Sequence, residues 1–231
     1  MRQSPHLLVS RAQSPYLQPV TSLERAAPVP LVRISTVSAR IDVIAEPRDD
    51  VAVEGKVHVE GDDRQLTISA ISGVVHVRVP IGADVVIGTA SGRINVTGSV
   101  GAVSAVTVSG RVEIEAAGSV DVRTTSGRVE LGRIAGSCCV RTASGRVEVG
   151  ECGEVDVATQ SARIDLRRVH GEVRAHCVSG RIEITMVDPH DVVAETVSGR
   201  IEVSVPPGCT SDSNCTVDAR SVSGRVDVSE R

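Results

Sequence analysis

The stretch Val120–Leu131, VDVRTTSGRVEL, decides the fold. Val120 and Val122 alternate with polar residues, as do Val129 and Leu131, and Thr-Thr-Ser-Gly lies between the two runs. Period-two alternation of β-branched residues marks half-buried strands, not a helix. The closing half recurs as ASGRVEV from Ala143, VSGRIEI from Val178, VSGRIEV from Val197 and VSGRVDV from Val222. The repeating unit is therefore two short strands around a corner.

Ser marks the copies: Ser38, Ser72, Ser91, Ser109, Ser126, Ser144, Ser161, Ser179, Ser198 and Ser223. From Ser72 onward the spacings are 19, 18, 17, 18, 17, 18, 19 and 25. Ser38 to Ser72 spans two periods, with VAVEGKVHV (Val51–Val59) read as a degenerate copy between them. A period near twenty is the mark of a solenoid. The expected fold is all-β: a single-stranded parallel β-solenoid, β-helix-like, of about eleven rungs of 17–19 residues between Leu31 and Val228. At ~4.8 Å per rung this is a rod on the order of 50 Å long.

Three and five residues after each Ser the chain is aliphatic, as at Val129 and Leu131 or Ile182 and Ile184. Six and four before it are again apolar, as at Val155 and Val157. These columns are the expected core. The residue before Ser is apolar in eight of ten copies, among them Val37, Ile71, Val108, Val178, Val197 and Val222. It is expected to face inward too, with Gly inward where walls approach closely and the change of facing at the preceding Thr.

Arg follows two residues after Ser in nine of ten copies, and an acid two residues further in eight. Stacking turns these into two columns: Arg93, Arg111, Arg128, Arg146, Arg163, Arg181 and Arg200 beside Glu113, Glu130, Glu148, Asp165, Glu183 and Glu202. Cross-strand pairs between the columns offset the like-charge repulsion within each, and a one-residue slip would bury both charges. The motif is mainly structural. The same residues are the candidate interaction columns. On the other strand the outward residues vary instead: Arg33, Arg123, Arg141, His176, Glu195 and Arg220, interrupted by Val86, Val106 and Val193.

The run VHVRVPIGADVVIGTASGRINVTG (Val75–Gly98), the Ser-Gly-Arg rungs after it and AEPRDDVAVEG (Ala45–Gly55) before it resemble a bacterial β-strand-repeat family. That family is grouped with adhesins or as domain of unknown function 4097, and its shape is a toast-rack-like β-solenoid. The resemblance covers nearly all of Leu31–Ser229 and carries no catalytic residues. It implies a non-catalytic scaffold or interaction protein linked to the bacterial cell envelope or its stress response.

Composition narrows the other classes. The 231 residues include no Phe, no Trp and one Tyr, Tyr16, so the core is thin and filled by Val, Ile, Leu and Ala. Net charge is −4, and the Arg column is matched by acids; nucleic-acid binding needs an unneutralised basic stripe. No apolar run reaches transmembrane length, and Leu7–Val9 is too short for a signal-peptide core. The chain as written is thus expected in the cytoplasm, with the envelope the alternative the resemblance implies. Residues 1–30, with five prolines, read as a flexible Pro/Ser-rich tail ahead of a solenoid domain over 31–231.

No cofactor or metal set is expected, because the six cysteines contain no C-x-x-C pair. Cys138 falls in the Val120 column, Cys152 in the Ile134 column and Cys177 at the corner Thr position, where a free thiol is a small apolar filler. Cys139 is the outward neighbour of Cys138. Cys209 and Cys215 flank the insertion that lengthens the last interval, and are the candidate disulfide.

The competing class is a carbohydrate-active β-helix enzyme, a polysaccharide lyase or hydrolase. Its site would need converging carboxylates; the acids here run one per rung. The only compact cluster, Asp188, His190 and Asp191 in VDPHDV, reads as turn chemistry. No closing cap is read after Val228, so the last rung is expected to be blunted by Glu230 and Arg231 or to stack end to end on another copy.

Overall fold

A computed structural model describes residues 30–62, 64–207, 209 and 215–230. The tail expected over residues 1–30 lies, apart from Pro30, outside the described residues. Among them every regular element is a strand: β1 (Leu31–Glu46), β2 (Ala52–Glu54), β3 (His58–Gly61), β4 (Gln65–Pro80), β5 (Asp84–Val169), β6 (Val173–Met186), β7 (Val192–Val205) and β8 (Val217–Glu230). The fold is all-β, as the alternation requires.

Like residues stack. In β6 on β7, Ser179 pairs with Ser198, Arg181 with Arg200 and Glu183 with Glu202. The same register continues into β8, where Ser223, Arg225 and Asp227 take the next positions. Within the 86 residues of β5, Gly110 sits over Gly92, Gly127 over Gly110 and Gly145 over Gly127. The predicted core columns fill the interior, with Val120, Val122, Val129, Leu131, Val155 and Val157 all buried.

Three expectations are corrected. The first concerns order and direction. The sheet runs β2-β4-β1-β5-β6-β7-β8, with β3 also on β4, so β1 lies between β4 and β5 and is not the outermost layer. Leu31 pairs with both Gln65 and Asp84. The chain steps across β1 through Pro80–Ala83 before β5 begins. The segment Val51–Val59 is not an eleventh parallel rung. Its two strands lie antiparallel on the outer edge of β4, with Val53 opposite Val77 and Val59 opposite Ile68. A hairpin gives this: the chain reverses between Gly61 and Gln65, and a tight turn makes antiparallel neighbours. Asp62 makes the tight turn into β4, accepting the N–H groups of Arg64 and Gln65 at 2.9 and 3.0 Å. These backbone donors, Gln65 first, hold its carboxyl below the usual range.

The second correction is the facing at the corner. The residue before Ser points out, not in: Val37 is 57% exposed, Val197 50% and Val222 83%. Pairing runs from Thr36 directly to Ser38 and from Cys177 directly to Ser179, so Val37 and Val178 drop out of the ladder. Two consecutive residues can then face solvent at a convex corner. The preceding Thr takes the inward place. Thr89, Thr107, Thr124 and Thr142 are buried, and each hydroxyl donates to the carbonyl of the Ser two residues on, at 3.0–3.3 Å. That local bond offsets the cost of burying a hydroxyl.

The third concerns Gly. Its close neighbour is the carbonyl of the layer before it, not a facing wall.

Candidate functional site

Strand geometry puts Arg and the acid two residues later on one face, and the guanidinium reaches forward along its own strand. Arg111–Glu113 is 3.0 Å, Arg128–Glu130 3.1 Å, Arg146–Glu148 3.1 Å and Arg181–Glu183 3.0 Å. Arg200–Glu202 is longer at 3.6 Å. The expected cross-strand pairs are thus mostly replaced by pairs within a layer. At Asp165 the pattern changes, although Asp42 and Asp227 at the same repeat position keep the pair, at 2.9 and 2.7 Å. Arg163 turns to Glu183 of the next layer at 3.1 Å, while Asp165 meets Arg167 at 3.7 Å. Glu183 accepts from both Arg181 and Arg163. Burial alone would raise its carboxyl, and the two guanidiniums outweigh that and hold it below the usual range. Among the described residues Arg93 has no ion pair, because Asn95 stands where the acid would be.

Asn95 has a partner that chain order conceals. The copies lacking an acid are those with His76 and Asn95, and both flank β1. There Asp42, the one buried acid among the described residues, pairs with Arg40 at 2.9 Å, with His76 Nδ1 at 3.4 Å and with Asn95 Nδ2 at 3.5 Å. Two irregularities in the sequence thus become one local network.

Asp188 and Asp191, read with His190 as turn chemistry, each bind a partner outside that trio. Asp191 accepts the N–H of Thr216 at 2.8 Å. Asp188 instead meets His170, whose Nδ1 lies 2.8 Å from it and whose Nε2 lies 3.2 Å from Glu151. The signal was available: 151, 170 and 188 are spaced by 19 and 18, the repeat period, so they form a column at the turn. Among the described residues no group of His, Cys, Asp and Glu has metal-holding geometry.

The outward face of the first strand is charged but mostly paired. Arg123 meets Asp121 at 3.2 Å, Arg141 meets Asp156 at 3.8 Å, and His176 meets Glu195 at 3.1 Å. What stands unsatisfied on the surface is apolar. In spatial order the corner column reads Ile71, Val37, Ala90 and Val108, then Thr125, Ala143 and Gln160, then Val178, Val197 and Val222. Its large aliphatics are half or more exposed. Beside Val178, Val197 and Val222 lies an open groove of about 800 Å³, edged by His176, Glu195 and Arg220.

The cysteines fall as their columns require: Cys138, Cys152 and Cys177 are buried free thiols and Cys139 is half-buried. Cys177 imitates the Thr it replaces, its Sγ donating to Ser179 O at 3.1 Å. Cys209 and Cys215 form a disulfide with their Cα atoms 5.5 Å apart.

The family model described as Toastrack DUF4097 matches residues 33–231. No curated protein matches the chain.

Proposed function

We propose that this chain, which belongs to the Toastrack DUF4097 family, is a non-catalytic β-solenoid scaffold that presents its corner to a protein or envelope partner. The observation that carries the reading is the exposed aliphatic column. Lone surface aliphatics are ordinary, whereas contiguous ones mark interaction sites. Val178, Val197 and Val222 lie in successive layers, each at least half exposed, beside a groove with a polar rim. The charged columns support the same view, since most of their Arg and acid side chains neutralise each other and converge on no common point.

The setting proposed for the partner is the cell envelope or its stress response. Photo-crosslinking tests the reading. The chain carries p-benzoylphenylalanine at position 178 or 197, or at 123 on the first-strand face as the control. Crosslinks to one envelope component from 178 and 197 but not from 123 are expected. Equal crosslinking from all three overturns it. So does cleavage of an acidic polysaccharide that Glu148→Gln abolishes, which would restore the enzyme class.

A further inference from the structure

The ion pairs are ordered about the corner. On the second strand of a layer the Arg stands on the corner side and its acid beyond it, as in Arg111–Glu113, Arg128–Glu130 and Arg181–Glu183. On the first strand the chain order is reversed. Asp121 precedes Arg123, Glu172 precedes Arg174 and Asp218 precedes Arg220, so each of these pairs again has its Arg toward the corner. Among the described residues Arg167–Asp165 is the strand pair two residues apart that departs from this order, and Glu195 is the one acid in the row of Arg123, Arg141 and His176. β2 and β3 keep the order although they cross β4 antiparallel. Glu54 stands opposite His76 and Glu60 opposite Thr67, the outer positions, while His58 stands opposite Ser69 and Lys56 lies beside Val37 and Ile71. Either order would satisfy an exposed ion pair, so pairing alone leaves the mirror unexplained.

We propose that the corner is a ridge that lies on the surface of an anionic lipid bilayer, its aliphatic crest entering between the headgroups and its basic shoulders meeting the phosphates. Val37, Ile71, Val108, Val178 and Val197 form the crest, each half or more exposed, and Val106 widens it beside Val108. Binding at a lipid interface grows with the apolar area buried and with attraction to anionic headgroups, and each basic side chain near such a surface adds to it. The mirrored order brings bases to one line of a surface whose charges otherwise balance. It sets the acids two strand residues further back, ~6.6 Å on either side. The shape favours lipid over an acidic protein. A convex ridge running the length of the stack would need a rigid groove matched to every layer, whereas a fluid interface follows it.

This rests on the corner-docking reading and names the envelope component that the corner meets. The test sediments the full 231-residue chain with vesicles of phosphatidylglycerol and phosphatidylcholine, and with phosphatidylcholine alone. Binding to the first, little to the second, and weakening as salt rises are expected. Binding to neither overturns the lipid partner; crosslinks to a single protein from positions 178 and 197 would then leave the corner reading standing. Equal binding to both overturns the role given to charge. Arg111→Glu with Glu113→Arg and Arg200→Glu with Glu202→Arg reverse the order in two layers and leave the net charge unchanged. Together they are expected to weaken binding about fivefold or more; unchanged affinity overturns the proposal. Should that variant fail to fold, a single indole decides, since the chain has no Trp. Val178→Trp is expected to shift to the blue on vesicles and to be quenched by brominated lipid, and Glu202→Trp to do neither. The same response from both overturns the proposal.

Discussion

The carbonyl oxygen of Gly127 lies under the Cα of Gly145 in the next layer, so close that a Cβ on Gly145 would overlap it. Gly145 also holds φ at +133°, a region L side chains rarely adopt. Gly145→Ala meets both obstacles and is expected to cost at least ~2 kcal/mol. Gly88 faces open space and carries no positive φ, so Gly88→Ala is expected to be neutral or to stabilise by ~0.4–1 kcal/mol. Urea midpoints of the two variants compare them directly; equal shifts would refute the stacking contact.

The buried Thr column offers a second contrast. Thr142 Oγ1 donates to Ser144 O at 3.0 Å, whereas Thr159 Oγ1 is buried with no partner among the described residues. Thr142→Val removes a made bond and leaves the Ser144 carbonyl without that donor, for a loss of ~1 kcal/mol. Thr159→Val removes an unsatisfied hydroxyl and is expected to be neutral or stabilising. Opposite signs in thermal melts would confirm the pairing; a cost at 159 equal to that at 142 would contradict it.

Glu183 links pH to stability. Its carboxyl is held below the usual range, so it contributes stability above the unfolded-state value and loses it as pH falls through the folded one. Glu183→Gln is expected to be less stable than the parent at pH 7, by ~0.5–1 kcal/mol for a partly exposed pair. The gap should close below about pH 4, near the ordinary value for Glu. A gap that persists undiminished at pH 3 would assign the effect to packing.

The thiols should label in a fixed order. Burial pushes Cys152 up to about 12, and burial with the nearby Cys152 and Cys139 thiols raises Cys138 further. Cys139, half-buried, is raised by burial and by Asp156 and Asp121. Maleimide at pH 8, read by mass spectrometry, is expected to reach Cys139 first and slowly. Cys138, Cys152 and Cys177 should react only after unfolding, and Cys209 and Cys215 only after reduction. Cys138→Val, matching its column, is expected to change stability by less than ~1.5 kcal/mol.

Much of the site was legible once columns were aligned. Arg111 and Glu113 share a face because strand geometry leaves no alternative. The Asp42 network was not, because His76 and Asn95 reach it only when β1 is inserted between β4 and β5. His170 was overlooked for a simpler reason: column alignment stopped at the strands, while Glu151, His170 and Asp188 repeat in the turns.

The corner shows where pattern fails. Val37, Val178 and Val197 read as core because apolarity at a repeated position usually means burial. Hydrophobicity records a preference, and the backbone decides whether it is met. At a convex bend the ladder skips one residue, so two neighbours face water and the Thr before them takes the inward place.

By itself the sequence determined what repeats: a layer of two strands every seventeen to nineteen residues, its aliphatic columns and its paired charges, all consequences of local alternation copied along the chain. Only the tertiary structure decided which layers touch and which run backwards. Those outcomes depend on whether the chain reverses on itself, as between Gly61 and Gln65, or steps across a layer, as at Pro80–Ala83, and strand alternation is the same whether a strand runs parallel or antiparallel to its neighbour.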